Sequence, residues 1–410
     1  MPDSIPQDWK TDNLFVLVGG NPLPNYVAAH LLLKDKGCLH LVCSNETEKI
    51  ANKLATYFPD QFIKHTLQDA ADRGEIRRVM SDALKKDYKP GTVGLHYTGG
   101  TKAMAVHVHQ IIREKCSDAI LTYLDSRTLT LRCDSIVNNV KVKFLVKPDL
   151  RTLLDMHQLS LNEGHIPRVK PVLLELDQLL AKGHASKKAA ESYAQWCKDY
   201  VYPYENEYKK FQVAKEEGTA TSAFLGKTIP FPRHSKLQQA AEEMRCLFEV
   251  SGDQFDPELA TTQQVGLNSV EELLRYLLGD WVEYLVLQAF LKNQTTHHLH
   301  EVLMSVKTQP NPNYFEFDVA AMQGYQLYVV SCTRSTFRDL NKSKLFEVYI
   351  RAAQLGGDEA KIALVCCEMD PSRLEDEVQD SWQVRQGRIK VFGASDLPYL
   401  SDRFADWLGS

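Results

Sequence analysis

Short apolar runs alternate with amphipathic segments over the first 150 residues of the chain. The runs have the length and composition of buried strands, and they lie at 14–18, 38–43, 62–66, 93–97 and 119–124. Helical patterns follow them at 26–33, 46–57, 70–85 and 101–115, and runs at 129–133 and 140–146 predict a closing β-hairpin. This alternation predicts an α/β fold that begins with a Rossmann-like domain over residues 1–150, with a parallel sheet between two layers of helices.

The hydrophobic pattern changes twice in the rest of the chain. Residues 151–265 carry apolar positions at helical spacing around a polar stretch at 216–234, which predicts a helical connector with a long loop. Residues 266–410 combine a long helix at 270–291, strands at 314–320 and 326–332 joined by a turn at 322–324, a helix at 344–355, strands at 363–366 and 389–392, and a terminal helix at 400–408. This order predicts a second α/β domain.

Composition excludes several classes of protein. The 410 residues carry a net charge of -5, so no global positive field attracts nucleic acid, and local groups must hold any polyanion. Nine cysteines, an odd number without a CxxC spacing, argue against a disulfide framework or a zinc ribbon. The polar start and the lack of a long apolar run argue against a signal peptide and a membrane span. We therefore expect a cytoplasmic protein without membrane contact.

Two glycine-rich turns carry the first candidate chemistry. Gly19-Gly20 follows the first predicted strand, and Thr98-Gly99-Gly100-Thr101-Lys102 follows the fourth. In a doubly wound sheet, ligands bind where the strand order reverses, so both turns are expected to face one pocket. Glycine lets backbone N–H groups approach an anion, and helix N-termini add positive partial charge. The turns therefore predict a site for a phosphate-rich nucleotide, with Lys102 as a point charge.

Further polar residues are candidates for the same nucleotide site, and one alternative interpretation of the glycine turns remains. Ser44, Asn45 and Thr47 follow the second strand, from where they could reach a base or ribose. Neither glycine turn has the GxGxxG or the GxxxxGK[ST] spacing, so an ordinary dinucleotide fold or P-loop ATPase is poorly supported. The alternative interpretation is that the glycines only make tight strand-to-helix turns.

The two turns resemble a known family. LVGGNPLPN (17–25) and YTGGTKAM (97–104) resemble the two ligand loops of CARF domains, the CRISPR-associated Rossmann folds of type III systems. The resemblance covers about the first 150 residues, and it implies a homodimer whose two-fold pocket holds a cyclic oligoadenylate, most often the tetra-adenylate, as an allosteric activator. The candidate ligand residues in these segments are Gly19, Gly20, Asn21, Pro22, Asn25, Thr98, Gly99, Gly100, Thr101 and Lys102.

Acidic residues in the C-terminal part form the second candidate site. Strand alternation places Glu316 and Asp318 on one face, and Ser331 and Thr333 share a face of the partner strand. Glu283 lies on the predicted long helix nearby in the chain. A structural hairpin with solvated carboxylates is the alternative interpretation.

This second pattern resembles the core of PD-(D/E)XK nucleases. The resemblance implies that Asp318 is the central metal ligand, that Glu283 lies beside it, and that the backbone carbonyl of Cys332 completes the shell. Such oxygen ligands suit Mg²⁺ or Mn²⁺, which activates water for attack on a phosphodiester. Ser331-Cys332-Thr333 stands where the family has Glu-x-Lys, and Lys342 or Lys344, which follow soon after, could supply the missing amine. We predict Lys344, because the helix from this residue packs over the site.

Together the two resemblances predict a nuclease that a cyclic oligoadenylate activates and that cleaves DNA, RNA or both. Three alternatives stay open: a catalytically inactive activator sensor, a ring nuclease that degrades its own ligand, and a transcription regulator that reads DNA through part of residues 151–265. The acidic net charge and the lack of a clear basic recognition helix count against the regulator. The ring size of the activator does not follow from the sequence.

Overall fold

The N-terminal domain is built on a seven-stranded sheet. The structure, a computed structural model, describes residues 4–86, 90–134, 136–162, 173–219, 227–260, 266–309 and 314–409. The strands are β1 (Thr11–Leu17), β2 (Leu33–Ser44), β3 (Phe62–Leu67), β4 (Val93–His96), β5 (Ile120–Asp125), β6 (Thr130–Cys133) and β7 (Ile136–Lys141). Their order in the sheet is β3-β2-β1-β4-β5-β6-β7, with β1 to β5 parallel and the last two pairings antiparallel.

Helices cover both faces of this sheet, so the predicted α/β fold class is confirmed. They are α1 (Leu23–Leu32), α2 (Glu48–Ala55), α3 (Arg73–Lys86) and α4 (Lys102–Lys115). The apolar side chains of α1 and α2 pack on one face, and those of α3 and α4 pack on the other. The strand order reverses beside β1, which pairs with β2 on one side and with β4 on the other. Ligand sites of open α/β sheets form at such a reversal.

One strand of the N-terminal domain was predicted in the wrong place. The apolar pattern at 140–146 predicts a strand, but β7 spans Ile136–Lys141. Val142 and Val146 are buried in the core that the N-terminal domain shares with the C-terminal sheet, and Leu145 N–H donates to the Val142 carbonyl at 3.0 Å in a turn. The apolar residues that follow β7 are therefore buried side chains of a turn, not part of a strand.

The middle of the chain is mostly helical, as its pattern predicts. It contains α5 (Leu150–Met156), α6 (Leu174–His184), α7 (Lys187–Trp196), α8 (Tyr202–Glu216), β8 (Ile229–Pro230), α9 (Gln238–Leu247), β9 (Gln254–Phe255) and α10 (Pro257–Ala260). A π-helical turn at Cys197–Val201 joins α7 to α8. The two-residue strands β8 and β9 pair antiparallel, and they are too short to leave a period in the sequence.

A second, five-stranded sheet forms the centre of the C-terminal part. The elements are α11 (Val270–Arg275), α12 (Trp281–Asn293), β10 (Glu301–Lys307), β11 (Glu316–Gln323), β12 (Gln326–Cys332), α13 (Arg338–Gly356), β13 (Lys361–Val365), α14 (Pro371–Trp382), β14 (Ile389–Phe392) and α15 (Leu400–Gly409). The strands lie in chain order, antiparallel from β10 to β12 and parallel from β12 to β14.

The structure corrects three predictions for this part. The helix predicted at 270–291 is two helices, because a π-helical turn at Tyr276–Asp280 with a non-helical Gly279 interrupts it. The predicted turn at 322–324 lies one residue later, since β11 continues to Gln323. The helix predicted at 344–355 begins earlier, at Arg338, because exposed apolar residues in its first turns obscure the pattern. The sequence interpretation also missed β10 and α14, whose side chains are only partly buried.

One apolar core joins the N-terminal domain to the C-terminal sheet. Leu14 and Val16 of β1 belong to the same cluster of buried side chains as Phe317 of β11 and Val329 of β12. The turn between β11 and β12 touches the N-terminal domain directly, since Tyr325 N–H donates to the Lys143 carbonyl at 3.1 Å. The other face of the C-terminal sheet packs on the connector helices and α12. Among the described residues, no helix combines the length and the apolar character needed to cross a bilayer.

A buried carboxyl joins the connector to the C-terminal helices. Asp177 of α6 is fully buried and accepts hydrogen bonds from the Tyr276 hydroxyl and from Gln288 Nε2, both at 2.6 Å. Burial raises the pKa of Asp177 from 3.8 to about 7, although the two hydrogen bonds oppose this rise. The folded protein therefore holds a proton that the unfolded chain releases between these pH values.

This proton makes stability depend on pH in a defined direction. Because the folded pKa of Asp177 is the higher one, its contribution is present below pH 3.8 and is lost as pH rises to about 7. We expect Asp177→Asn, which keeps the shape without the charge, to gain stability relative to the wild type over this range, by up to roughly 4 kcal/mol for a shift of about three pKa units.

Thermal unfolding at several pH values checks this expectation. The difference in Tm between Asp177→Asn and the wild type should grow from pH 4 to pH 7 and then stay constant. The exposed Asp402→Asn serves as the control and should follow the wild type. A difference in Tm between Asp177→Asn and the wild type that does not change with pH would contradict the conclusion that folding keeps Asp177 protonated.

Candidate functional site

The two glycine loops of the N-terminal domain are in direct contact. β1 and β4 are neighbours, so their carboxyl ends meet at one edge of the sheet. A Cβ added to Gly19 would lie 2.9 Å from the Gly100 nitrogen, and one added to Gly99 would overlap the Leu17 carbonyl. Gly100 also has a φ of +74°, which favours glycine. Only residues without a side chain allow the two backbones to approach this closely.

Local hydrogen bonds fix the shape of the first loop. Asn25 is buried, and its Nδ2 donates to the Leu17 carbonyl at 2.9 Å. Asn21 Oδ1 accepts from Leu23 N–H at 3.0 Å, and Pro22 occupies the N-cap of α1. These residues hold the loop backbone, while Gly20 is exposed with open space where a Cβ would stand.

The second loop is fixed in a similar way. Thr98 Oγ1 accepts from Leu124 N–H at 2.7 Å. Thr101 caps α4 by accepting from Met104 N–H at 3.1 Å, and its hydroxyl donates to the Ala70 carbonyl at 3.2 Å. Lys102 is exposed in the first turn of α4. The threonines therefore shape the loop, and Lys102 is the charged group that an anion at this edge would meet.

The third group of predicted ligand residues lies one strand further along the sheet. Ser44 ends β2, and its N–H donates to Thr47 Oγ1 at 3.1 Å. Asn45 is exposed, and its Nδ2 donates to Gln68 Oε1 at 3.0 Å. These three residues share the carboxyl edge of the sheet with the glycine loops but do not belong to the Gly19–Gly100 contact.

Asp318 stands at the centre of the second site. Its Oδ2 accepts from the Cys332 N–H at 2.6 Å and from the Ser331 hydroxyl at 3.2 Å, so β12 orients the carboxylate. Burial raises the pKa of Asp318, and the Cys332 N–H and the charge of Lys344 oppose that rise. Asp318 lines a cleft of about 280 Å³ together with Ser331 and Lys344.

Glu283 lies beside Asp318, in the first turn of α12. Burial raises the pKa of Glu283 far above its ordinary value, and the nearby charges of Asp318, Asp280 and Glu316 raise it further. The positive charge of Lys344 is the opposing influence. Two buried carboxyls this close need a cation or a shared proton to reduce their repulsion.

The structure places the two candidate lysines differently. Lys344 lines the cleft of Asp318, and its charge acts on both buried carboxyls. Lys342 instead forms an ion pair with Glu377 of α14, with an Nζ to Oε1 distance of 2.7 Å. The early start of α13 explains this separation, because both lysines lie within a formed helix and two positions apart they face different sides.

Two further predicted residues lie at the margins of the site. Glu316 is exposed and forms an ion pair with Lys307 of β10 at 3.2 Å. Thr333 Oγ1 accepts from Ser335 N–H at 3.2 Å. Thr333 and Glu283 both line a neighbouring cleft of about 460 Å³.

Residues that the sequence interpretation missed line this neighbouring cleft. Asp280 precedes Glu283 by three positions on the same helical turn, a spacing that could have been noticed. Arg275, Tyr202 and Phe337 also line the cleft, and the Phe337 side chain is 75% exposed. No local pattern links these three residues, because they come from different elements.

The donor set fits a hard divalent cation with few protein ligands. Within the described ranges, no three His, Cys, Asp or Glu side chains come close enough to form a metal cluster on their own. Mg²⁺ is commonly held by one or two carboxylates, with water and substrate phosphates completing the shell. Asp318 and Glu283 supply two carboxylates of this kind, and they are close enough for the charge of Asp318 to raise the pKa of Glu283.

Comparisons with known proteins bear on both domains. Residues 270–410 match the family model of the Card1-like endonuclease domain. A solved structure of Can2 from Sulfobacillus thermosulfidooxidans, in complex with cyclic tetra-adenylate, is similar with a TM-score of 0.66 at 15% identity, over 97% of this chain and 100% of that chain. Protein VC1899 from Vibrio cholerae is similar with a TM-score of 0.69 at 13% identity, over 97% of this chain and 98% of that chain. A search of curated proteins found no match.

These matches test the family resemblance that the two sequence patterns predict. At these identities the solved structures bear on the fold, and the family model bears on the C-terminal chemistry. The predicted likeness to a CARF nuclease is confirmed. Residues 270–410 of this chain match the Card1-like endonuclease domain, and the chain as a whole has the fold of Can2 and VC1899.

Proposed function

We propose that this chain is a metal-dependent nuclease that a cyclic oligoadenylate activates in type III CRISPR antiviral defence. The observation that carries the proposal is the contact between the loops at Gly19 and Gly100 in a chain that ends in an endonuclease domain. The loops provide one anion site at the strand reversal, and the buried pair of Asp318 and Glu283 provides the site of hydrolysis.

The activator is proposed to bind across two copies of the chain. Backbone N–H groups at the glycine loops and the Lys102 ammonium suit the phosphates of a ring, while Ser44, Asn45 and Thr47 suit its bases or riboses. A symmetric ring matches a two-fold homodimer, in which each copy contributes the same loops. The tetra-adenylate is the favoured ring, because the similar Can2 structure holds that ligand.

In the endonuclease domain, Asp318 and Glu283 would hold Mg²⁺ or Mn²⁺, with the Cys332 carbonyl as a further ligand. When bound, the cation supplies a more acidic water and charge stabilisation at the scissile phosphate. The N–H of Cys332 keeps the Asp318 carboxylate oriented for this task. Lys344 takes the position of the family's missing lysine, where its charge meets the attacked phosphate or the attacking water.

The nucleic acid substrate is proposed to occupy the cleft that Glu283 shares with Arg275, Tyr202 and Phe337. A cation near the edge of this cleft suits a phosphate backbone, and an exposed aromatic ring suits an unpaired base. Either DNA or RNA satisfies this chemistry.

Ser331 and Thr333 in place of the family's Glu and Lys favour a second candidate, a sensor without catalysis. Purified protein assayed with Mg²⁺ or Mn²⁺ on supercoiled DNA and single-stranded RNA separates the two, with cyclic tri-, tetra- or hexa-adenylate added. A nuclease cleaves at least one substrate in the presence of one ring, and a sensor cleaves none.

Asp318→Asn should lower the rate of activated cleavage by more than about 100-fold, since the loss of outer-shell partners alone costs roughly 10–100-fold. The amide keeps the volume of the carboxylate but cannot bind the cation as strongly. The rate is measured with saturating ring and metal, with the exposed Asp402→Asn as the matched control. Activator affinity should not change, and full cleavage by Asp318→Asn would remove this residue from the site.

Lys102→Ala should weaken the binding of cyclic tetra-adenylate by about 10- to 100-fold, the size of one hydrogen bond to a charged group. Calorimetric titration gives the Kd directly. Lys115→Ala is the control, because Lys115 is exposed at the opposite end of the same helix α4. Equal affinities for the two variants would exclude Lys102 from the activator site.

A further inference from the structure

A cleft of about 480 Å³ lies between the N-terminal sheet and the endonuclease domain. Ser126 and Arg127, in the turn after β5, line one side of it. Tyr349 of α13 and Arg385 and Arg388, which precede β14, line the other side. None of the residues of the glycine loops or of the Asp318 site lines this cleft, so it is a separate site.

Positive charge in this cleft exceeds negative charge. Arg388 forms an ion pair with Asp358, with a distance of 3.0 Å between Nη1 and Oδ1. Arg127 and Arg385 have no carboxylate at ion-pair distance in the part of the chain that the structure describes. Burial raises the pKa of the neighbouring Glu359 to about 7, so this carboxyl neutralises the arginines only in part near neutral pH.

Arg388 has the features of a prepared anion ligand. Its residue surface is only 7% exposed, and its guanidinium lies 5.3 Å from the centre of the Tyr349 ring. Its Nη2 donates to the Gly357 carbonyl at 2.6 Å, which leaves the buried Nε without a partner. The contacts with Asp358, Gly357 and Tyr349 hold the guanidinium in one orientation, so a phosphate in the cleft would meet a charge whose position is already fixed.

The position of the cleft connects it to the predicted activator loops. β5 runs parallel to β4, so Arg127 follows the carboxyl end of the sheet, at the edge that also carries the glycine loops. Gly357, whose carbonyl Arg388 binds, lies against the side chain of Asn21 in the first glycine loop. A ligand in the cleft would therefore contact both domains at the point where they meet the loop.

We propose that the cleft of Arg127, Arg385 and Arg388 binds a phosphate group of a nucleotide and thereby joins the turn after β5 to the endonuclease domain. Guanidinium groups bind phosphate through paired hydrogen bonds, and three of them from two domains suit a ligand with more than one phosphate oxygen exposed. The phosphate comes either from a free nucleotide or from the activator ring.

The test uses the full-length chain with Lys102→Ala, so that the glycine-loop site does not dominate binding. Calorimetry measures the Kd of ATP and of pyrophosphate for this protein and for the same protein with Arg127→Gln and Arg385→Gln. Both arginines are exposed, so their replacement leaves the core intact. Arg233→Gln, an exposed arginine of the connector, is the charge-matched control.

Each arginine replaced should raise the Kd by about tenfold, and the Arg233 control should leave it unchanged. Titration of cyclic tetra-adenylate into protein with Lys102 intact identifies the source of the phosphate. Weaker ring binding in the arginine variants assigns the phosphate to the activator, whereas an effect on ATP alone assigns it to a free nucleotide.

The proposal would be overturned if replacement of Arg127 and Arg385 left the Kd of ATP, of pyrophosphate and of cyclic tetra-adenylate unchanged, or if none of the three bound saturably. The result is independent of the nuclease function proposed above, because binding is measured without cleavage. If neither the wild type nor any variant cleaves nucleic acid in the presence of the ring, the proposed nuclease function is contradicted. The proposed phosphate binding in the arginine cleft is not affected by that result.

Discussion

The close approach of two backbone segments at the strand reversal constrains the whole N-terminal domain. Gly19 and Gly99 leave no space for a side chain, and Gly100 takes a conformation that favours glycine. Each loop is then held by its own hydrogen bonds, such as that from Asn25 to the Leu17 carbonyl. The contact joins elements that are about eighty residues apart in the chain into one edge, which also carries the exposed Lys102.

Burial without full charge compensation is the common feature of the candidate sites. Asp318 and Glu283 share a poorly solvated position with Lys344 as the opposing charge. Arg388 is buried more deeply than either carboxyl, and Asp358 balances only one of the arginines around the cleft. Folded proteins tolerate such imbalance at a cost in stability, and it is concentrated where a ligand of opposite charge binds.

The sequence predicted the parallel strands and the pairing of the glycine turns, because a buried strand and a βα turn leave strong local patterns. It also predicted the strand that carries Asp318. It did not predict β10, whose alternating residues are half-buried, or the break at Gly279 within a continuous apolar pattern. The separation of Lys342 from Lys344 depends on where α13 begins, which tertiary packing decides. The residues that line the arginine cleft come from distant segments of the chain, so no local sequence pattern predicts the cleft.

The turn at Gly324 constrains how the molecule can move. A side chain there would overlap the Lys143 carbonyl, and Tyr325 is hydrogen-bonded to the same group. Because the two sheets also share one core, bending between them would expose apolar surface to water. The shared core and the Gly324 turn therefore both oppose bending between the two domains of the chain.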